Sequence, residues 1–148
     1  MFGSIVVGTD GSDTARSALR QAIGLAQQSD ARLQIVSAYE PVSEQRLRDQ
    51  HVEVPKDLEW MINPRGDVLE MLDAAREEAR RAGVAEVETF ARQGDAADAI
   101  LDVAEEQRAD LIVVGNKGMT GAKRFLLGSV PNKVSHHAPC SVMIIRTT

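Results

Sequence analysis

Short apolar runs alternate with helix-period segments along this chain. The first run, Ser4-Ile5-Val6-Val7-Gly8, is β-branched and ends in a polar turn, Gly8-Thr9-Asp10-Gly11-Ser12. Branched side chains stiffen an extended backbone and pack well on a pleated surface, so the run predicts a strand. Ser12 or Asp13 then stands where a short side-chain oxygen can accept a first-turn N–H and start a helix. Ala15, Ala18, Leu19, Ala22, Ile23 and Ala26 recur at helical spacing and put one small-residue stripe against a sheet. Residues 31–39 read as a second strand. A second helix opens near Pro64, carries Val68, Leu72, Ala75, Ala79 and Ala82 on one face, and stops at Gly83.

The rhythm continues to the end of the sequence. Residues 84–91 alternate apolar and acidic positions, as an edge or near-edge strand does. Asp95 caps a third helix that carries Ala97, Ile100, Leu101 and Ala104. Residues 111–114 form a continuous apolar run of the kind buried on both faces. A last helix is predicted over 129–137, and residues 139–145 close the chain as a fifth strand. Alternating strand and helix implies right-handed crossovers, hence an α/β fold: a mostly parallel, doubly wound (Rossmann-like) sheet with helices on both faces. Ligands of such sheets sit beyond the carboxyl ends of the strands, where strand order reverses. The loops at 8–12 and 115–128 both face that crevice.

One segment breaks the pattern. Residues 40–63 are too many for an ordinary strand-to-helix connection. They are read as a variable surface excursion, ahead of a lid over the crevice. Otherwise residues 1–148 form one domain without internal repeats.

Composition narrows the function. With 43% hydrophobic and 26% charged residues, the 148-residue chain can build one core without disulfide or metal. Its net charge of -5 argues against a nucleic-acid or anionic-membrane binder, which needs a broad basic face. The single cysteine, Cys140, excludes an internal disulfide and fits a reducing compartment. Placed inside the fifth strand, it reads as a small buried apolar residue. The opening residues lack a basic stretch and a long apolar run, so no signal peptide is expected, and the protein is assigned to the cytoplasm.

Against that acidic background, the stretch from Gly115 to Ser129 carries Lys117, Lys123 and Arg124 and no acid. Glycines after a buried strand let backbone approach a ligand, and a helix mouth at Ser129 offers N–H donors to an anion. Phosphate binding follows, although a solvated loop explains the residues equally well on these grounds alone. No GxGxxG and no GxxxxGK[ST] occurs. Asp10 is either an acceptor for ribose hydroxyls or a turn residue bonding nearby N–H groups. His51 has no Cys or His cluster, and His136 and His137 suit a helix C-terminus, so no metal site is predicted. No catalytic residue is assigned, because no metal-holding carboxylate pair or water-positioning base is evident.

The spacing Val113-Val114-Gly115-x2-Gly118-x9-Gly128-Ser129-Val130 resembles the nucleotide motif of the universal stress protein family. Residues 5–12, 109–115 and 139–144 strengthen the resemblance, which covers the chain except 40–63. It implies a five-stranded parallel sheet in the order 3-2-1-4-5 and a regulatory homodimer, joined through the C-terminal strand with Val142 and Ile144. The implied ligand is ATP, with Mg2+ as its companion, or cyclic AMP. Gly115, Gly118, Gly128 and Ser129 would hold phosphate, with Asn116, Lys117 and Val130 lining the loop. Gly8 and Thr9 would lie beside the ribose, Asp10 would face it, and Ala38 would line the adenine pocket. A slow ATPase or phosphotransferase, and an interaction module without ligand, are the alternatives. Pro131 departs from the Ser or Thr of many ATP-binding relatives and brings neither N–H nor hydroxyl.

Overall fold

The computed structural model describes residues 2–40, 64–116 and 127–146. Its elements run β1 (Ser4–Gly8), α1 (Asp13–Ser29), β2 (Arg32–Tyr39), α2 (Pro64–Arg81), β3 (Val87–Gln93), α3 (Ala96–Glu106), β4 (Leu111–Gly115), α4 (Ser129–His137) and β5 (Ser141–Ile145). The five strands pair in parallel in the order β3-β2-β1-β4-β5, as the resemblance implied. The 40–63 excursion lies, beyond Glu40, outside the described residues.

Strand periodicity divides the core in two. Ile5, Val7, Leu33, Ile35, Leu111 and Val113 point to one face and pack on α1 and α2. Val6, Val36, Ile112 and Val114 point to the other and pack on α3 and α4. Strand β4 is therefore apolar on both faces, which is why 111–114 reads as an unbroken run, whereas β1 and β2 also bury Ser4, Gln34 and Ser37. The small residues Ala18, Ala22 and Ala26 on α1, all buried, bring that helix close to the sheet. Among the described residues no helix is long and apolar enough to cross a membrane.

Several boundaries differ from the predicted ones, and the largest shift, at the start of β3, has a clear physical cause. Strand β3 begins at Val87 rather than 84. Gly83 takes a left-handed φ of 98° and its N–H donates to Arg80 (3.0 Å), while Val84 N–H reaches back to Ala79 (3.1 Å). These two bonds close α2 as a Schellman turn, whose apolar follower Val84 is buried as a plug. Ala82, expected on the buried face, is exposed, since the turn has rotated it outward. Strand β5 begins at Ser141, so Cys140 precedes it and is half-buried rather than inside the strand. That partial burial pushes its thiol pKa up, with the Asp110 carboxylate adding to the effect.

Candidate functional site

Strands β1 and β4 lie side by side, yet their chains depart toward opposite faces, to α1 and to α4. A crevice opens between the two departures. Its walls are Gly8, Thr9 and Asp10 on one side, Val114, Gly115, Val130 and Pro131 on the other, with Val36, Ser37, Ala38 and Ile100 below.

The loop leaving β1 is held by its own short side chains. Asp10 Oδ1 accepts the Ser12 N–H at 2.9 Å, and Thr9 Oγ1 accepts the Gly11 N–H at 3.2 Å. Ser12 in turn caps α1, its hydroxyl accepting the Ala15 N–H at 3.2 Å. Asp10 is exposed, and its other oxygen takes no hydrogen bond among the described residues. One carboxylate thus makes the turn and still presents an acceptor. Gly11 has φ of 81°, and a Cβ there would stand 2.7 Å from the Met71 sulfur, so the loop packs tightly on α2. Gly8 answers a different need: a Cβ would run into the Ile100 side chain of α3, with Cγ1 at 3.0 Å.

Below the loop the ladder leaves backbone groups open. In a parallel sheet the N–H and C=O of one residue point to the same side. Thr9 N–H donates to Val36 C=O (2.9 Å) and Gly94 N–H to Tyr39 C=O (2.9 Å), so even positions of β2 face β1 and odd ones face β3. Strand β1 ends opposite Val36. Ala38, two residues on, therefore aims a donor and an acceptor into the crevice with no strand to receive them.

The opposite wall is built by Asn116. It is 7% exposed, donates its N–H to Ile145 C=O (3.0 Å) and accepts the Gly128 N–H (2.9 Å). That second bond joins the two ends of the glycine-rich segment, so Gly128 enters the site with its amide already engaged. Lys117 and Gly118, and with them Lys123 and Arg124, lie outside the described residues. Helix α4 follows at once. Gly128 holds its N-cap position in extended geometry, and no side chain caps it. Ser129, exposed, and Val130 present first-turn N–H groups, whereas buried Pro131 at the next position has none.

A cluster that sequence reading missed braces this wall. Lys133 Nζ lies 2.8 Å from Asp98 and 3.3 Å from Asp95, tying the second turn of α4 to the start of α3. Asp98 and then Asp95 raise the Lys133 pKa. The Asp98 backbone N–H, more than Lys133, holds the Asp95 carboxyl below its usual value. No local signal links positions so far apart in sequence. Ile100 and Val36 line the crevice too, although the apolar pattern marks them only as core. Among the described residues no three His, Cys, Asp or Glu side chains gather as metal ligands would.

Comparison with known proteins extends the geometry. A family model described as the universal stress protein family matches residues 1–146. A universal stress protein of Mycobacterium tuberculosis is 39% identical over 147 residues, covering 99% of this chain and 98% of the relative. One from Bacillus subtilis is 37% identical over 149 residues, covering 99% and 100%. Among solved structures, a universal stress protein in complex with cAMP is similar at TM-score 0.74 and 36% identity, over 99% of each chain. The universal stress protein of Archaeoglobus fulgidus in complex with dAMP is similar at TM-score 0.64 and 26% identity, over 97% of each.

Proposed function

The chain belongs to the universal stress protein family, and on that premise we propose that it is a regulatory protein binding an adenine nucleotide between β1 and β4, cyclic AMP ahead of ATP. One observation carries the reading. The crevice has apolar walls, an open backbone donor and acceptor at Ala38, and an uncapped helix start at Gly128. Adenine requires a flat apolar slot and a paired donor and acceptor for its N1 and N6 edge. Phosphate requires N–H groups at a helix start. Ala38 serves the base, Asp10 with Thr9 and Gly8 the ribose, and Ser129 and Val130 the phosphate. Gly115 lines the crevice, and Gly118 and Lys117 are assigned to the phosphate by the family motif.

The order of ligands follows from the donors. Pro131 has no N–H, and the Gly128 amide is engaged by Asn116. Among the described residues, two amides and the Ser129 hydroxyl suit the two free oxygens and single charge of a cyclic phosphodiester better than a triphosphate. The relative bound to cAMP supports this order. Mg2+ belongs to the ATP alternative, held mainly by phosphate oxygens. The protein would work in the cytoplasm as a dimer through β5, an edge strand with half-buried Val142 and Ile144, and change partner when the crevice fills.

Isothermal titration of the purified chain with cyclic AMP and with ATP tests the reading. Saturable binding of cyclic AMP, tighter than that of ATP, is expected; saturation by neither nucleotide overturns it. Phosphate release in the same ATP samples, abolished by Asp10→Ala, would favour a slow ATPase instead.

A further inference from the structure

On the other side of loop 8–12 lies a second and roomier depression, between α1 and α2, lined by Thr9, Arg16, Leu19, Arg20, Met71 and Glu78 among others. We propose that this groove binds a small organic anion, a phosphate or carboxylate head on Arg16 and Arg20 with an apolar body over Leu19 and Met71. Arg16 and Arg20 stand one helical turn apart on the same face of α1, and both are exposed. Like charges at that spacing repel and weaken a helix, so the arrangement gains when an anion sits between them. Neither guanidinium has a hydrogen bond or ion pair among the described residues. Arg76, Arg80, Arg92 and Lys133 are each paired with a carboxylate, whereas among the described residues Arg16 and Arg20 are not.

The groove's own acid does not neutralise them. Glu78 lines the far wall, on α2, yet makes no ion pair with either arginine. The charged walls are thus held apart, with room between them. Two guanidinium forks on one wall match the oxygens of a phosphate or carboxylate, and can engage them bidentately. The floor of Leu19 and Ala75, both buried, with half-buried Met71 covers an apolar body. Glu78 suits a ligand whose far end is a hydrogen-bond donor rather than a second anion. Thr9 lines both depressions, but the arginines and the apolar floor belong to the opposite face of the sheet, so the anion site does not rest on the nucleotide reading.

Phenyl phosphate is a suitable probe, because it joins an anionic head to an apolar body. Its titration into the full chain, followed by the NMR signal of the Met71 methyl group, is expected to saturate at a dissociation constant below about 1 mM. The double variant R16Q/R20Q should weaken it at least tenfold, and R16K/R20K, which keeps charge without the fork, should fall between. Circular dichroism checks that the variants fold, as expected for exposed positions. Absence of saturation, or equal affinity in R16Q/R20Q, overturns the proposal. Loss of phenyl phosphate binding in Gly128→Asp, a change confined to the start of α4, also overturns it, since the probe would then lie in the crevice. Failure of cyclic AMP to bind the unaltered chain would count against the nucleotide site alone.

Discussion

Two helices begin on the same face of the sheet, a few residues from one crevice, and they begin differently. Before α3, Asp95 takes an extended conformation (φ -71°, ψ 135°) and its carboxylate accepts the Asp98 N–H at 3.0 Å. Before α4, Gly128 takes nearly the same conformation (φ -62°, ψ 166°) and supplies no side chain at all. Helix starts leave N–H groups without internal partners, and a protein ordinarily satisfies them with a cap. Here α3 is satisfied by its own sequence and then braced by Lys133. The start of α4 keeps its donors open toward the crevice. The difference separates a helix start used for stability from one kept available to a ligand.

The strongest way to break the comparison is to give α4 the cap that α3 has. Gly128→Asp fits the extended backbone and would take the Val130 N–H, the donor nearest in capping geometry. It also places a negative charge where phosphate is to sit. Nucleotide affinity should fall about 100-fold or more, while stability stays level or rises by a few tenths of a kcal/mol. Parallel calorimetric titration and thermal melts check both halves. A variant that binds cyclic AMP as before would show that the α4 start is not the phosphate seat.

A smaller change sharpens the same contrast in the opposite sense. Pro131→Thr restores an N–H and a hydroxyl to the first turn of α4. A hydrogen bond to a charged oxygen contributes about 1.5–3 kcal/mol, so ATP should gain roughly tenfold or more relative to cyclic AMP. Competition titrations with the two nucleotides measure that ratio directly. An unchanged ratio would mean that Pro131 does not limit phosphate coordination.

How much of this was legible beforehand follows from where the information resides. The order of elements was plain, because periods of two and of helical spacing are written in contiguous residues such as 111–114 and Ala15 to Ala26. The Ser12 and Asp95 caps were equally local. Val84 was misplaced, since a Schellman plug and a strand's first apolar residue look alike until Gly83 turns left-handed. The strand order came from family resemblance, as nothing within a strand names its neighbour. At the site, Asp10 could be read two ways because one carboxylate has two oxygens. The open backbone at Ala38 arises from register, in which β1 ends opposite Val36 while β2 runs on to Tyr39. Lys133 joins Asp95 across 38 positions, and no local pattern anticipates such a partner.

The smallest effect is expected at α3, where the capped start can be loosened by pH. Asp95 has its carboxyl pKa lowered in the folded chain, first by the Asp98 backbone N–H and further by Lys133. A depressed folded pKa means that the unfolded chain binds the proton more readily. The stabilisation is therefore complete above the ordinary carboxylate value near 4 and disappears as pH falls through the lower folded value. Lys133 is shifted upward by the same contacts, so its share is present below its ordinary pKa and is lost only in strong alkali. Between those limits the bridge should be insensitive to pH. Asp95→Ala removes the cap and should cost about 1 kcal/mol at neutral pH, with less difference from the unaltered chain in acid. Melting curves of both proteins between neutral pH and about pH 3 test this. A gap that stays constant across the range would mean that the carboxylate's charge contributes nothing to the brace. The same variant should still bind cyclic AMP, because its phosphate is assigned to the start of α4.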